Sequence, residues 1–152
     1  VGGASGVFAA LFEDSRWRSA VVDPSQEGAF IEEEHGISYT ISTLEEAVIH
    51  DRFDLVSLNY VLEHVTDPVE MLRQSKQLLR NNGYLFIEVP DVSNFDTVSH
   101  DHDIFNACHL WMFDFNSLSK LLQRFDLSVV ASEVLTVLRG HRGLMILAGS
   151  SE

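Results

Sequence analysis

Two stretches of this sequence carry residue types that bind and react. Gly2-Gly3-Ala4-Ser5-Gly6 leads into an apolar helical pattern, and Asp23 closes the short β-branched run that follows. Small residues let the main chain approach a ligand closely, and a helix N-terminus offers free N–H groups. A carboxylate about 20 residues further on can accept hydrogen bonds from both hydroxyls of a ribose. Together they describe a nucleoside-containing ligand. In a dinucleotide fingerprint, G-x-G-x-x-G, the third glycine would stand where this chain has Val7. The last glycine comes one residue earlier, at Gly6, and so short a loop leaves less room for a pyrophosphate.

The second stretch is rich in histidine. His100-Asp101-His102-Asp103 and Cys108-His109 are ligand types for zinc or iron. Alternating His and Asp place both imidazoles on one side only in an extended segment. A solvated loop is the expectation over a metal site; the alternative is that this charged, His-rich loop after the fifth strand closes over a substrate. Cys108 and His109 are adjacent, so on a helix or strand they point apart and do not form a thiolate pair. Trp111, Phe113 and Phe115 suit either a pocket lining or the core.

Alternating strands and helices must position these residues. Phe8, Leu11 and Phe12 mark one helical face. Ala20–Val22 reads as a strand, and Asp23-Pro24 as the start of a helix through Phe30 and Ile31 to Gly36. Ile37–Ile41 alternates as a strand, Leu44–Ile49 forms a helical turn, and Phe53–Leu58 is the next strand. Asp67-Pro68-Val69-Glu70 predicts a capped helix with Glu70 completing a capping box, ended by Asn81-Asn82-Gly83, residues that tolerate positive φ. Tyr84–Val89, apolar except for Glu88, predicts a strand covered on both faces. A helix capped by Asn116 follows, with Leu118, Leu121, Leu122 and Phe125 on one face. Leu127–Leu138 and Leu144–Ala148, joined around Gly140 and Gly143, make a hairpin. The whole predicts a three-layer α/β fold with a mainly parallel sheet and a C-terminal antiparallel hairpin. A ligand-cradling glycine loop normally follows a strand directly. The sequence therefore predicts an apolar strand ending in Asp or Glu upstream of Val1, without which residues 1–152 are not expected to fold alone.

The 152 residues are 45% hydrophobic and 22% charged, and 10 Lys+Arg against 23 Asp+Glu give a formal charge of −13. That balance suits one soluble domain over residues 1–152, and no repeat or linker divides it. Such an acidic surface disfavours nucleic acid and anionic membranes as partners. No apolar run approaches the ~20 residues of a membrane span. A single cysteine, Cys108, excludes an internal disulfide and suits a reducing, cytoplasmic setting. Oligomeric state is not legible.

Phe53-Asp54-Leu55-Val56-Ser57-Leu58-Asn59-Tyr60-Val61-Leu62-Glu63-His64-Val65 runs into Asp67-Pro68, and Leu78-Leu79-Arg80-Asn81-Asn82-Gly83-Tyr84-Leu85-Phe86-Ile87-Glu88-Val89-Pro90 follows. This resembles the class I S-adenosylmethionine (SAM)-dependent methyltransferases, especially the small-molecule branch with its VLEHV-type motif. The resemblance implies a Rossmann-like sandwich and identifies the glycine cluster with the family's first motif, lacking its leading acid, first strand and any N-terminal helix. It implies that Gly2, Gly3, Ala4 and Gly6 pass beneath SAM, and that Asp23 holds the ribose. Ser42 and Thr43 then line the adenine pocket, while Asn59 and Tyr60 face the methionine end, where an aromatic ring can attract the sulfonium. Ala4 replaces a family glycine, a small steric change expected to be tolerated. Asn81-Asn82-Gly83 replaces Pro-Gly-Gly.

His109 matches a histidine that the branch carries before an aromatic stretch, and neutral imidazole can accept a proton from a hydroxyl or amine. Glu63-His64 has metal-ligating types. In related quinone-pathway O-methyltransferases a glutamate three residues earlier completes the set, but that position is Tyr60, so no metal is expected. The implied activity is methyl transfer from SAM to oxygen, nitrogen or carbon of a small-molecule acceptor. Two alternatives are a non-catalytic scaffold module that keeps the fold and a nicotinamide-dependent oxidoreductase. The loop spacing and the Leu-Glu-His-Val segment oppose the second.

Overall fold

The computed structural model describes residues 1–12, 16–28, 30–99, 101–105, 107–136 and 140–150. They form two compact units, Val1–His50 and Asp51–Glu152.

The first unit holds helix α1 (Val7–Ala10), strand β1 (Ala20–Asp23), helix α2 (Phe30–His35) and strand β2 (Ser38–Ile41). β1 and β2 pair in parallel, with Asp23 opposite Ile41. Val21, Ile31 and Ile37 are buried together, and Ala9, Ala10 and Tyr39 pack on them. Pro24 does not start α2: residues 24–28 form bends and turns, and the described helix begins at Phe30. Asp23 itself explains this, because its carboxylate takes the Ser25 N–H and holds the chain in a turn there. Leu44–Ile49 holds the single turn expected, closed by the Ala47 N–H on the Thr43 carbonyl at 3.1 Å.

The second unit contains β3 (Phe53–Asn59), α3 (Pro68–Leu78), β4 (Leu79–Pro90), α4 (Phe115–Gln123), β5 (Leu127–Thr136) and β6 (Arg142–Ser150), with short 3-10 turns at Val92–Thr97 and Asp103–Phe105. Its sheet has the order β3-β4-β6-β5. β3 runs parallel to β4, whereas β6 is antiparallel to both β4 and β5. The parallel pair and the C-terminal antiparallel hairpin are those expected of the α/β fold.

Several local expectations change. The Asp67 carboxylate caps α3 by accepting from the Val69 and Glu70 N–H groups. Glu70, however, does not reach back. It pairs with Arg73 at 2.5 Å and accepts from Gln74 at 2.7 Å, since these side chains lie one turn away on the same face. α3 ends at Leu78, and Asn81-Asn82-Gly83 turn the chain as expected but without positive φ: they are looped out between the pairs Phe53–Leu79 and Leu55–Tyr84, and a Cβ on Gly83 would lie 3.2 Å from the Arg80 N and O. Gly83 is required for a different reason, because a Cβ there would lie 2.9 Å from the Phe53 carbonyl oxygen. β4 is covered fully on one face only, with Leu85, Ile87 and Val89 wholly buried while Tyr84 is 44% exposed. α4 is capped by Asp114, not Asn116, in a reciprocal capping box with Ser117. Among the described residues no helix is long and apolar enough to cross a membrane.

Candidate functional site

In the first unit the site is built around the C-terminal end of β1. Asp23 is buried, its Oδ2 accepting the Ala4 N–H at 2.9 Å and its Oδ1 the Ser25 N–H at 2.8 Å. A carboxylate oxygen has two lone pairs, so each retains one for a ligand. The loop before α1 is fixed by Gly2 N–H on the Val22 carbonyl at 2.8 Å and Gly6 N–H on the Gly3 carbonyl at 2.6 Å. Gly2, Ala4 and Gly6 all have positive φ, at 64°, 39° and 73°. A Cβ on Gly6 would also meet Ile31 Cδ1 at 2.1 Å, so glycine is demanded there by both backbone and packing. The described α1 spans four residues, so the loop supplies the cradle and the helix adds little. Ser42 follows β2 with its N–H on the Asp23 carbonyl, and Thr43 Oγ1 accepts the Glu46 N–H.

The second unit gathers a different set at the end of β3. Asn59 Nδ2 donates to Glu88 Oε2 at 3.0 Å, and the Tyr60 N–H donates to the Glu88 carbonyl at 2.8 Å. Tyr60 breaks the strand with φ 53°, a left-handed conformation costly for a non-glycine residue. Burial and then the Glu88 carboxylate raise its pKa, so it stays a phenol. Glu88 was visible in the sequence only as a lone carboxylate in an apolar run, and its service to Asn59 was missed.

Beside this lies a cluster that sequence reasoning did not assemble. A Glu63 carboxylate oxygen and one ring nitrogen each of His64 and His109 lie within 4.8 Å of one another. His64 Nδ1 faces the Cys108 carbonyl at 3.0 Å, and His109 Nδ1 faces that of Ile104 at 2.6 Å. A nitrogen facing a carbonyl carries the proton, so Nε2 of each neutral ring is the basic atom. Glu63 is fully buried, neither oxygen has a hydrogen-bond donor among the described residues, and burial raises its pKa to about 7. One carboxylate and two imidazoles are types able to hold a divalent cation.

The remaining candidates scatter. Phe113 is buried and bridges to Asp91, which places it in the core, while Trp111 and Phe115 are exposed. Trp111 Nε1 donates to the Val65 carbonyl at 2.9 Å. Cys108 is exposed and in no disulfide. His100 lies outside the described residues; Asp101 is exposed and bonded to Ser99 Oγ, and the His102 ring stands 5.8 Å from that of His141.

The fold is that of a Rossmann-like methyltransferase. The Methyltransferase domain family matches residues 1–132, and the chain belongs to that family. Over 74 residues it is 35% identical to the mitochondrial ubiquinone biosynthesis O-methyltransferase of Candida albicans, an alignment that covers 49% of this chain and 22% of that protein. The Burkholderia thailandensis 1,6-didemethyltoxoflavin-N1-methyltransferase, solved with S-adenosylhomocysteine, superposes with a TM-score of 0.79 at 23% identity, covering 100% of this chain and 69% of that one. The N-methyltransferase NodS of Bradyrhizobium japonicum, also solved with S-adenosylhomocysteine, gives 0.74 at 15% identity, covering 99% and 76%. These structural likenesses are likenesses of fold. Family membership brings SAM as the methyl donor, and the donor set fits it: a buried carboxylate with spare lone pairs beside a loop of positive-φ residues.

Proposed function

We propose that the protein transfers the SAM methyl group to an oxygen, nitrogen or carbon of a small-molecule acceptor. The observation that carries the reading is Asp23: a buried carboxylate, oriented by two main-chain N–H groups, beside a loop of positive-φ residues. Asp23 accepts from the two ribose hydroxyls. Gly2, Gly3, Ala4 and Gly6 give the close main-chain surface, and Ser42 and Thr43 border the adenine. Asn59 and Tyr60 serve the methionine end, a role supported by the family motif and by their fixed geometry on Glu88.

When bound, SAM supplies a methyl carbon on a positive sulfur, which an acceptor lone pair displaces in line as S-adenosylhomocysteine departs. The chain's own task is to bind, align and accept a proton. His109 is the base: its Nδ1 proton is committed to the Ile104 carbonyl, so Nε2 takes the proton that an acceptor hydroxyl or amine releases. Alignment supplies much of the remaining acceleration. Trp111 and Phe115 offer exposed aromatic faces to the acceptor. The formal charge of −13 supports a small molecule over nucleic acid, and the lone cysteine supports a cytoplasmic setting.

Calorimetric titration of S-adenosylhomocysteine into full-length protein tests this reading. Binding that Asp23→Ala weakens by about an order of magnitude or more, the scale of charged hydrogen bonds, is the expected result. A folded wild type that binds none of it leaves the non-catalytic scaffold in its place.

A further inference from the structure

Ala4 and Ser25 are each held on both sides of the chain, and the same two side chains do the holding. Asp23 accepts their N–H groups at 2.9 and 2.8 Å. The Tyr39 hydroxyl faces their carbonyl oxygens, at 3.1 Å from Ala4 and 2.9 Å from Ser25. Tyr39 lies in β2, opposite Val21 and two residues before the end of the strand, which brings its phenol to the edge of the glycine loop. The hydroxyl has one proton, so it donates to one carbonyl at a time and tethers either. Burial and the neighbouring Asp23 charge raise its pKa, which keeps that proton in place.

Gly28 completes the arrangement. A Cβ there would fall 1.8 Å from the Ala4 carbonyl oxygen and 2.6 Å from Tyr39 Cε2. Only glycine lets the segment after Asp23 close against the loop and the tyrosine together. Three separate segments therefore converge on the peptides that orient the Asp23 carboxylate.

We propose that Tyr39 is a positioning residue of the nucleoside site, fixing through Ala4 and Ser25 the direction in which Asp23 presents its remaining lone pairs to a ribose diol. The inference rests on the reading of Asp23 as the ribose ligand. Removing the hydroxyl leaves two carbonyls without their donor and frees the peptide planes that aim the carboxylate. The loss falls on diol recognition and spares the adenine and amino-acid ends of the ligand.

The test is a coupled titration. S-adenosylhomocysteine and its 2′-deoxy analogue are titrated into full-length wild type, Tyr39→Phe, Asp23→Asn and the double variant, with thermal unfolding of each as the check on folding. Tyr39→Phe is expected to weaken S-adenosylhomocysteine about fivefold to tenfold, the worth of an ordinary hydrogen bond. It should weaken the deoxy analogue less than about twofold and cost little further once Asp23 is Asn, because residues acting through one another are not additive. Equal losses for both ligands, or the same loss with and without the Asp23 carboxylate, would make Tyr39 merely structural and overturn the proposal. Unchanged affinity in Tyr39→Phe overturns it alone. A wild type that binds neither ligand overturns the cofactor reading, and this assignment with it.

Discussion

The Glu63 carboxylate and the His64 imidazole, neighbours in sequence, stand 3.8 Å apart in opposite states of solvation: the Glu63 side chain is 1% exposed and that of His64 42%. The His64 ring is in turn edge-on to His109, with centroids 4.8 Å apart. A buried carboxylate that meets no donor is a destabilising feature, and such features persist where the surrounding structure needs them.

Glu63 should make stability fall with rising pH. Its unfolded value is near 4.5 and its folded value about 7, so between those limits the native state binds more protons than the unfolded chain. Native stability is therefore greatest, as far as this group is concerned, below about pH 4.5, and is lost as pH rises through about 7. His64 opposes the shift and Glu88 reinforces it. Glu63→Gln should remove this part of the slope and raise stability at pH 8 by on the order of 1–3 kcal/mol. Urea unfolding of both proteins at pH 5 and pH 8 measures it. Parallel pH dependence in the two would refute the prediction.

Ala4 occupies a left-handed conformation with φ 39°, where a Cβ is penalised. Alanine at this position is thus strained by its backbone and not only by its size. Ala4→Gly should stabilise the protein by about 0.5–1 kcal/mol after its greater unfolded-state entropy is offset. Ala4→Val should destabilise it by more than about 1 kcal/mol, since a β-branched residue tolerates this region less well. Shifts of the urea midpoint at constant slope decide between these and a neutral outcome.

Asp67 holds two otherwise unpaired N–H groups at the start of α3, with Pro68 as the first helical residue. Asp67→Ala should cost about 1 kcal/mol, whereas Asp67→Asn should cost much less, because its carbonyl oxygen still accepts. Thermal unfolding should show a fall of about 3 °C for the first only.

The sequence by itself determined the elements whose signals are local. The Asp67 cap, the β3 strand and the C-terminal hairpin follow from residue types within a few positions, and the glycine loop with Asp23 follows from a motif whose backbone demands glycine. It also carried the family, because those motifs occur in a fixed order. Contacts between distant positions carry no such signal. Tyr39 reads as an ordinary strand aromatic until folding places its hydroxyl on Ala4 and Ser25. Gly28 reads as a loop glycine until the Ala4 carbonyl lies against it. Asn81-Asn82-Gly83 reads as a helix stop, and only folding shows that it is looped out of the β3–β4 pairing between Leu79 and Tyr84. Glu63, His64 and His109 converge for the same reason: the Cys108 and Ile104 carbonyls orient imidazoles that lie 45 residues apart in sequence. Tertiary structure alone decided which polar groups face one another, since hydrogen-bond geometry is a property of positions in space and not of spacing along the chain.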